Sequence, residues 1–165
     1  MTESFLTNNQ YTLTFPKISK TILTLQQTNI PGIAMTISQV GTPFSNMKEP
    51  DTKIMFEDLV CTFKLTENFD GYLEIYNWIK GLGFSQSFTE YSNLKGDTNN
   101  RSNIFTDVIL TIYDNSSNPN IEVHLYNAFP YSLSSVNLDT TVNDATFNTI
   151  EARFAYDYHN ISKIS

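Results

Sequence analysis

The clearest pattern in the sequence is a strand-like alternation that runs directly into a helix-like repeat. From Leu59 to Leu65, apolar side chains occupy every second position, the spacing that places one row of side chains on a buried sheet face. From Phe69 onward the apolar residues recur every three or four positions, as they do on one side of a helix. Gly81 and Gly83 then supply residues that can end a helix. We therefore predict a strand ending near Leu65 and one helix directly after it.

Shorter alternating segments predict strands through most of the remaining chain. They cover 11–15 and 22–26, interpreted as a first hairpin, then 33–37, then 108–113 and 121–126, interpreted as a second hairpin, then 131–138, and finally 149–158. The last strand and the strand over 60–65 have the most sustained alternation, so we expect both in the central sheet. Two segments without a sustained period, 40–52 and 84–105, are predicted to be long loops.

These elements predict the fold class and the domain organisation. The chain is expected to be mainly β (α+β), an antiparallel β sandwich or barrel with one packed helix and long loops. A length of 165 residues suits a single domain that spans 1–165.

Charge and cysteine content exclude several classes of function. The formal net charge is -7 and the 10 Lys and Arg residues are scattered, so a protein that grips nucleic acid through a basic surface is not expected. No apolar run reaches membrane-spanning length and the N-terminus lacks a signal-peptide pattern, which predicts a protein made in the cytoplasm with no membrane partner. Cys61, the single cysteine, lies on the apolar row of its strand and is expected in the core.

No catalytic or metal-binding motif stands out. His124 and His159 are the only histidines, and neither has a cysteine or carboxylate at a metal-ligand spacing. Five acidic residues cluster around the junction of strand and helix: Glu57, Asp58, Glu67, Asp70 and Glu74. Solvation and the positive end of the helix explain these acids better than a paired-carboxylate site does. We therefore predict no enzymatic activity, no metal site and no cofactor.

Aromatic residues make up 13% of the chain and charged residues only 16%, a combination that suits surfaces buried against other subunits. The candidates are three aromatic residues of the helix and two apolar residues of the first long loop: Tyr72, Tyr76, Trp78, Phe44 and Met47. For the helix residues, completing the core of the monomer is an equally open interpretation. The loop over 41–52 is predicted to be ordered mainly by a neighbouring subunit, since its Pro, Gly and polar content gives it little to pack on its own core.

Several segments resemble the tail-tube family of contractile-tailed bacteriophages. They are the Ile-Pro-Gly-Ile segment at 30–33, the stretch 53–59, the strand 60–65 with the helix that begins at 66–69 and reaches Trp78, and the closing strand 149–158. Segments 78–84 and 127–130 are most similar to the tail-completion and sheath-stabilising proteins, the tube terminators, of T4-like phages. The resemblance implies a two-sheet β barrel with a helix that assembles as a hexameric ring, its sheets joined across subunits around a channel for DNA.

This resemblance predicts a structural virion protein that completes or caps the tail tube, made in the host cytoplasm and located in the tail. Its partners would be further copies of itself and tube, sheath, and neck or baseplate proteins. The major tube protein or the tube initiator is the alternative within the family. A monomeric β-sandwich module that binds carbohydrate or peptide is the alternative from another class. DNA would pass without specific binding because acidic side chains line the channel, with Glu122, Glu151 and Asp157 as the candidates.

Overall fold

The computed structural model describes residues 10–18, 24–83, 87–95, 104–139, 141 and 147–164. In chain order, the elements are β1 (Tyr11–Thr14), β2 (Leu25–Thr28), β3 (Ile33–Gly41), β4 (Asn46–Phe56), β5 (Leu59–Lys64), α1 (Asp70–Gly83), α2 (Phe88–Lys95), β6 (Thr106–Tyr113), β7 (Pro119–Leu133), β8 (Thr149–Ala155) and β9 (Tyr158–Lys163). The prediction of a mainly β chain with a packed helix is confirmed.

Seven strands form two sub-sheets that share the long strand β7. The sheet follows the order β1-β6-β7-β8-β5-β2, and β9 pairs with β7 outside this path. Strand β7 pairs with β9 through 121–126 and with β8 through 129–133. All of these pairs are antiparallel. One sub-sheet is therefore β1-β6-β7-β9 and the other is β7-β8-β5-β2.

The change of partner along β7 occurs at Asn127. Its φ of 56° is a conformation that asparagine tolerates better than most residues. The Asn127 backbone N–H donates to Asp107 Oδ1 at 3.0 Å, and its side-chain amide donates to Asp157 Oδ2 at 2.6 Å. Asp157 in turn donates its backbone N–H to the carbonyl of Tyr126 at 3.0 Å. The chain crosses between sub-sheets at this turn, so the prediction of one continuous strand over 149–158 is wrong.

Strands β5 and β8 form the centre of the core, as predicted. Six residues that pair in register across these strands are fully buried: Leu59, Cys61 and Phe63 of β5 with Phe154, Ala152 and Ile150 of β8. Seven more buried core residues come from β1, β6 and β7: Leu13, Val108, Leu110, Ile112, Val123, Leu125 and Ala128. Cys61 is fully buried, which confirms its predicted place in the core. This burial raises the pKa of its thiol to about 12, so the thiol stays protonated.

Helix α1 covers this core with one face. Ile75 and Trp78 are buried, and Trp78 Nε1–H donates to the carbonyl oxygen of Ile104 at 3.1 Å. The ring of Phe15 meets the Trp78 ring edge-on at 6.4 Å and the Phe154 ring at 4.7 Å. Since Trp78 is only 4% exposed, it completes the core of the monomer instead of lying on an outer surface.

Two predicted pairings had different outcomes. The segments 11–15 and 22–26 do not form a hairpin, because β1 pairs with β6 and β2 pairs with β5. Residues 22 and 23 lie outside the described residues. The predicted hairpin of 108–113 with 121–126 is confirmed as β6 and β7.

Two further segments were predicted with the wrong boundaries. The expected strand over 131–138 is the continuation of β7, which runs without interruption through Pro130. Pro130 lies opposite Phe154 beside a register shift, a place where a ladder can lose one N–H. The expected loop over 84–105 contains helix α2, while 84–86 and 96–103 lie outside the described residues.

Candidate assembly interface

The predicted loop over 40–52 is instead part of a long β hairpin, so that prediction is wrong. Strands β3 and β4 pair with each other and, among the described residues, with no other strand. This hairpin, 33–56, is named the arm. The hairpin was not predicted from the sequence, because Pro43 and Pro50 interrupt the alternation of apolar and polar residues. Pro43 lies in the tip, however, and Pro50 lies in a strand with one unpaired edge, where a missing N–H is tolerated.

A register shift bends the ladder of the arm between Met35 and Ile37. Thr36 sits at this shift opposite residues 51–53, and its hydroxyl lies 3.0 Å from Asp51 Oδ2 and 3.3 Å from the carbonyl oxygen of Lys53. The backbone hydrogen bond from Thr52, together with the Thr36 hydroxyl, lowers the pKa of the Asp51 carboxyl. Local hydrogen bonds therefore hold the arm as β structure through the irregular step.

One side of the arm carries a row of apolar side chains. Directly opposite residues of an antiparallel pair share a face, as do alternate residues along one strand. The row contains β3 residues and their β4 partners: Ile33, Met35 and Ile37 with Phe56, Ile54 and Pro50. We name these six residues the apolar row. Ile33 is 63% exposed and Ile37 is 61% exposed. Contiguous exposed apolar surface of this kind marks an interaction site.

Two of the predicted interface residues lie on the arm. Phe44, in the tip between the strands, is 99% exposed. Met47 pairs with Val40, and both side chains are exposed on the side opposite the apolar row. The sequence therefore predicted two interface residues of the arm, although it placed them in a loop, and it did not identify the apolar row. The alternation of Ile33, Met35 and Ile37 was visible in the sequence, but nothing local showed that this row stays uncovered.

The base of the arm is fixed to the body by Tyr156 and His159. The Tyr156 hydroxyl donates to the carbonyl oxygen of Glu57 at 2.7 Å and lies 3.1 Å from His159 Nδ1. Because the phenol has one hydrogen and the carbonyl can only accept, His159 donates from Nδ1 to the Tyr156 oxygen. The Phe56 ring meets the His159 ring at 5.0 Å and the Tyr156 ring at 6.1 Å. Burial raises the pKa of Tyr156 to about 12 and lowers the pKa of His159, so both groups are neutral at pH 7.

Asn29 and Tyr131 secure the segment between the arm and β5. The Asn29 side chain donates to the carbonyl oxygen of Asp58 at 3.1 Å and accepts from the backbone N–H of Val60 at 2.7 Å. The Tyr131 hydroxyl donates to Asp58 Oδ2 at 2.5 Å, and this hydrogen bond raises the pKa of Tyr131. The two ends of the arm are thereby tied to both β5 and β7.

A second exposed apolar patch lies on the outer face of α1. Leu73 and Tyr76 of the helix are exposed, and so is Phe69, which directly precedes it. Tyr72 packs partly against the core, and its ring stacks on Tyr76 at a centroid distance of 6.3 Å. Tyr72 and Tyr76 thus reach the surface, whereas Trp78 lies on the buried face of the same helix.

The three acidic residues predicted to line a channel are not brought together. Glu122 and Glu151 alternate with buried residues of β7 and β8, so they point outward from different sub-sheets. Each lies beside a basic side chain: Glu122 Oε2 is 3.2 Å from His124 Nε2, and Glu151 Oε1 is 2.9 Å from Arg153 Nε. Asp157 lies in the turn between β8 and β9.

Within the described part of the chain, no three His, Cys, Asp or Glu side chains are grouped as a metal ion would require. The helices described here are too short or too polar to cross a membrane. The arm and the outer face of α1 both expose large apolar side chains.

Comparison with known proteins gives the family. The sequence profile of the phage tail tube protein family matches residues 6–162. No curated protein sequence matches the chain.

Solved structures give the fold. A chain from the tube-terminating cap of the anti-feeding prophage has a TM-score of 0.68 at 13% identity, with 99% of this chain and 95% of that chain covered. A chain from the PVC sheath/tube terminator of an extracellular contractile injection system, in the extended state, has a TM-score of 0.67 at 14% identity, covering 98% and 99%. A chain from the anti-feeding prophage baseplate has a TM-score of 0.65 at 13% identity, covering 98% and 97%. Because the profile match spans nearly the whole sequence, the chain belongs to the phage tail tube protein family.

Proposed function

We propose that this protein is a structural component of a contractile tail that assembles into a hexameric ring and completes or caps the tail tube. The arm is the observation that carries this proposal. It holds an exposed apolar row on a two-stranded sheet that no other described element covers, an arrangement that is stable when another chain covers the row. The fold shared with a tube-terminating cap and a sheath/tube terminator supports the terminator role over the major tube role, since a chain of a sheath-tube complex is less similar. The tube initiator stays the alternative, because a baseplate chain shares the fold almost equally well.

The partners follow from the two exposed patches. The arm and the outer face of α1 lie on different elements, so one copy can present both patches to different neighbours. Contacts between unlike surfaces of identical copies close into rings when the rotation allows it. We assign the remaining contacts to tube, sheath, and neck or baseplate proteins in the tail of the virion, with the protein itself made in the host cytoplasm.

The channel of the ring is proposed to let DNA pass without binding it. The net charge of -7 favours a wall that does not attract phosphate. Arg153 offsets the charge of Glu151 in their ion pair, while Glu122 adds an acidic side chain to the outward row of β7. Duplex DNA mixed with the assembled protein at low salt is expected to remain unbound, since low salt exaggerates any basic patch. Tight and salt-sensitive binding would contradict a non-adhesive channel.

The mass of the purified particle tests the assembly. Native mass spectrometry and light scattering over a range of concentrations are expected to give six times the chain mass of 18.8 kDa, and electron microscopy is expected to show discrete rings. Ile37→Asp is the matched variant, because it places a charge on the apolar row without touching the buried core. A wild-type chain that stays monomeric at high concentration would refute the ring, while long filaments would indicate the major tube protein instead of a terminator.

Proteolysis tests whether the arm is the part that becomes covered. Residues 43–45 of the tip are exposed, and the tip should be cleaved quickly in the isolated chain and slowly in the assembled ring. Equal cleavage rates in the two states would argue against an interface role for the arm.

A further inference from the structure

The two strands of the arm have very different free edges. Among the residues that the structure describes, each strand pairs on one side only, so each has backbone N–H and C=O groups along an unpaired edge. Strand β4 carries five residues that discourage a further strand: Lys48, Glu49, Pro50, Asp51 and Lys53. Strand β3, with the sequence IAMTISQVG, carries no charged residue and no proline. Of the two edges of the arm, only that of β3 is suited to accept another strand.

The body of the protein also ends in an open edge, at β9. This six-residue strand pairs with β7 and with no other described strand. Ile161 of β9 pairs with the fully buried Val123, so both side chains point to the core side of the sub-sheet. Ile161 is nevertheless 54% exposed. The buried row of this sub-sheet therefore ends uncovered at β9.

The other two terminal strands are poorer acceptors. Strands β1 and β2 have four residues each. They also approach one another, because the Tyr11 hydroxyl of β1 donates to the carbonyl oxygen of Gln26 in β2 at 2.8 Å. Strand β9 is the longest terminal strand of the described body and has an apolar side chain to cover.

We infer that β3 of one copy pairs with β9 of a neighbouring copy and extends the neighbour's sub-sheet, an inference that rests on the proposed ring. The β3 side chains of the apolar row, Ile33, Met35 and Ile37, lie beside Ile161 and continue its buried row. The added strand satisfies backbone groups of two edges at once and removes apolar side chains of both copies from water. The nine residues of β3 are long enough to cover the six of β9.

A second copy of this chain fits the β3 edge because every copy has both a free β3 edge and a free β9 edge. The two edges lie on different parts of the molecule, so each copy gives one arm and receives another, and such a contact can close into a ring. Charge selects the strand as well. Pairing through β4 would bring four charged residues, Lys48, Glu49, Asp51 and Lys53, into the new ladder, whereas β3 brings none.

Disulfide cross-linking between copies tests this pairing. Ile161→Cys is combined in one chain with Ile33→Cys, Met35→Cys or Ile37→Cys, so that the three variants scan the register along the apolar row. The matched controls combine Ile161→Cys with Ile54→Cys or Pro50→Cys, which lie directly opposite Met35 and Ile37 on β4. Adjacent strands are about 4.8 Å apart, so β4 would lie roughly 10 Å from β9, beyond the reach of about 7 Å between the Cα atoms of a disulfide.

Oxidation of the assembled protein is expected to give a ladder of covalent multimers, on a non-reducing gel, for at least one β3 variant and for neither β4 control. The native Cys61 is buried and does not contribute. In the wild-type chain, hydrogen exchange at β3 amides is expected to slow at least about tenfold on assembly. A multimer of ring mass without β3 cross-links, or with equal β4 cross-links, would overturn the pairing and leave the ring intact. A chain that remains monomeric would refute both.

Discussion

The β5–β8 pair and the β3–β4 arm are built from the same alternating pattern and end in opposite environments. In β5, Leu59, Cys61 and Phe63 are fully buried, whereas every second residue of β3 from Ile33 onward is exposed. The difference lies in what surrounds the strands. Strand β5 has neighbours on both edges, and the other sub-sheet and α1 cover its apolar row. In the described part of the chain, β3 has one neighbouring strand and no second layer. Alternation shows that a row of apolar side chains is suited to burial. It does not show whether the same chain or another chain buries that row.

The largest expected effect comes from placing a charge in the buried row of the β5–β8 pair. Phe154→Asp places an unpaired charge in the fully buried row of β8 and should destabilise the protein by at least about 4 kcal/mol, which abolishes soluble folding. The control Ile37→Asp makes a comparable change in the arm and should alter the free energy of unfolding by less than about 0.5 kcal/mol. Soluble yield and denaturant unfolding of dilute protein measure both. A stable Phe154→Asp variant would refute the central position of β8.

A smaller effect separates the two faces of α1. Trp78→Phe removes the donor to the Ile104 carbonyl and shrinks a buried ring, so we expect a loss of about 1–3 kcal/mol in the free energy of unfolding. Tyr76→Phe on the exposed face of the helix is the control, and it should change this free energy by less than about 0.5 kcal/mol. Equal losses in the two variants would mean that both faces are covered.

The next effect concerns the junction between the body and the arm. Tyr156→Phe keeps the ring contact with Phe56 but removes the hydrogen bond to the Glu57 carbonyl, at a cost of about 1 kcal/mol. Hydrogen exchange should quicken at the base of the arm and remain unchanged in β5 and β8. Tyr158→Phe, an exposed tyrosine in the same part of the chain, is the control. Quickened exchange throughout the body would contradict a local anchoring role.

The smallest effect is a pH dependence at the same junction. Burial lowers the pKa of His159 below its ordinary value of 6.5, so the unfolded chain takes up a proton at a higher pH than the folded chain does. The free energy of unfolding should therefore fall as the pH drops through 6.5, and this contribution should level off below the folded-state pKa. His159→Gln should flatten the dependence between about pH 7.5 and 5.5. An unchanged pH dependence in His159→Gln would assign it to other groups.

Several elements could be predicted because their causes are local in the sequence. The helix α1, the strand β5 and the β6–β7 hairpin follow from a sustained hydrophobic period and from turn residues such as those after Asp114. The burial of Cys61 followed from its position in the alternating row. For the assembly site, Phe44 and Met47 were identified, but the apolar row was not, because an exposed row and a buried one have the same period.

The sequence by itself determined the strand and helix content, the acidic balance and the resemblance to tail-tube proteins, since local periodicity and composition set these properties. Tertiary structure decided which strands pair, where β7 changes partner at Asn127, that Asp157 divides the last predicted strand, and that Trp78 lies in the core. It also decided that 33–56 forms an arm outside the main sheet. These outcomes depend on contacts between residues far apart in the chain, because a side chain is buried only when a distant segment supplies the second layer.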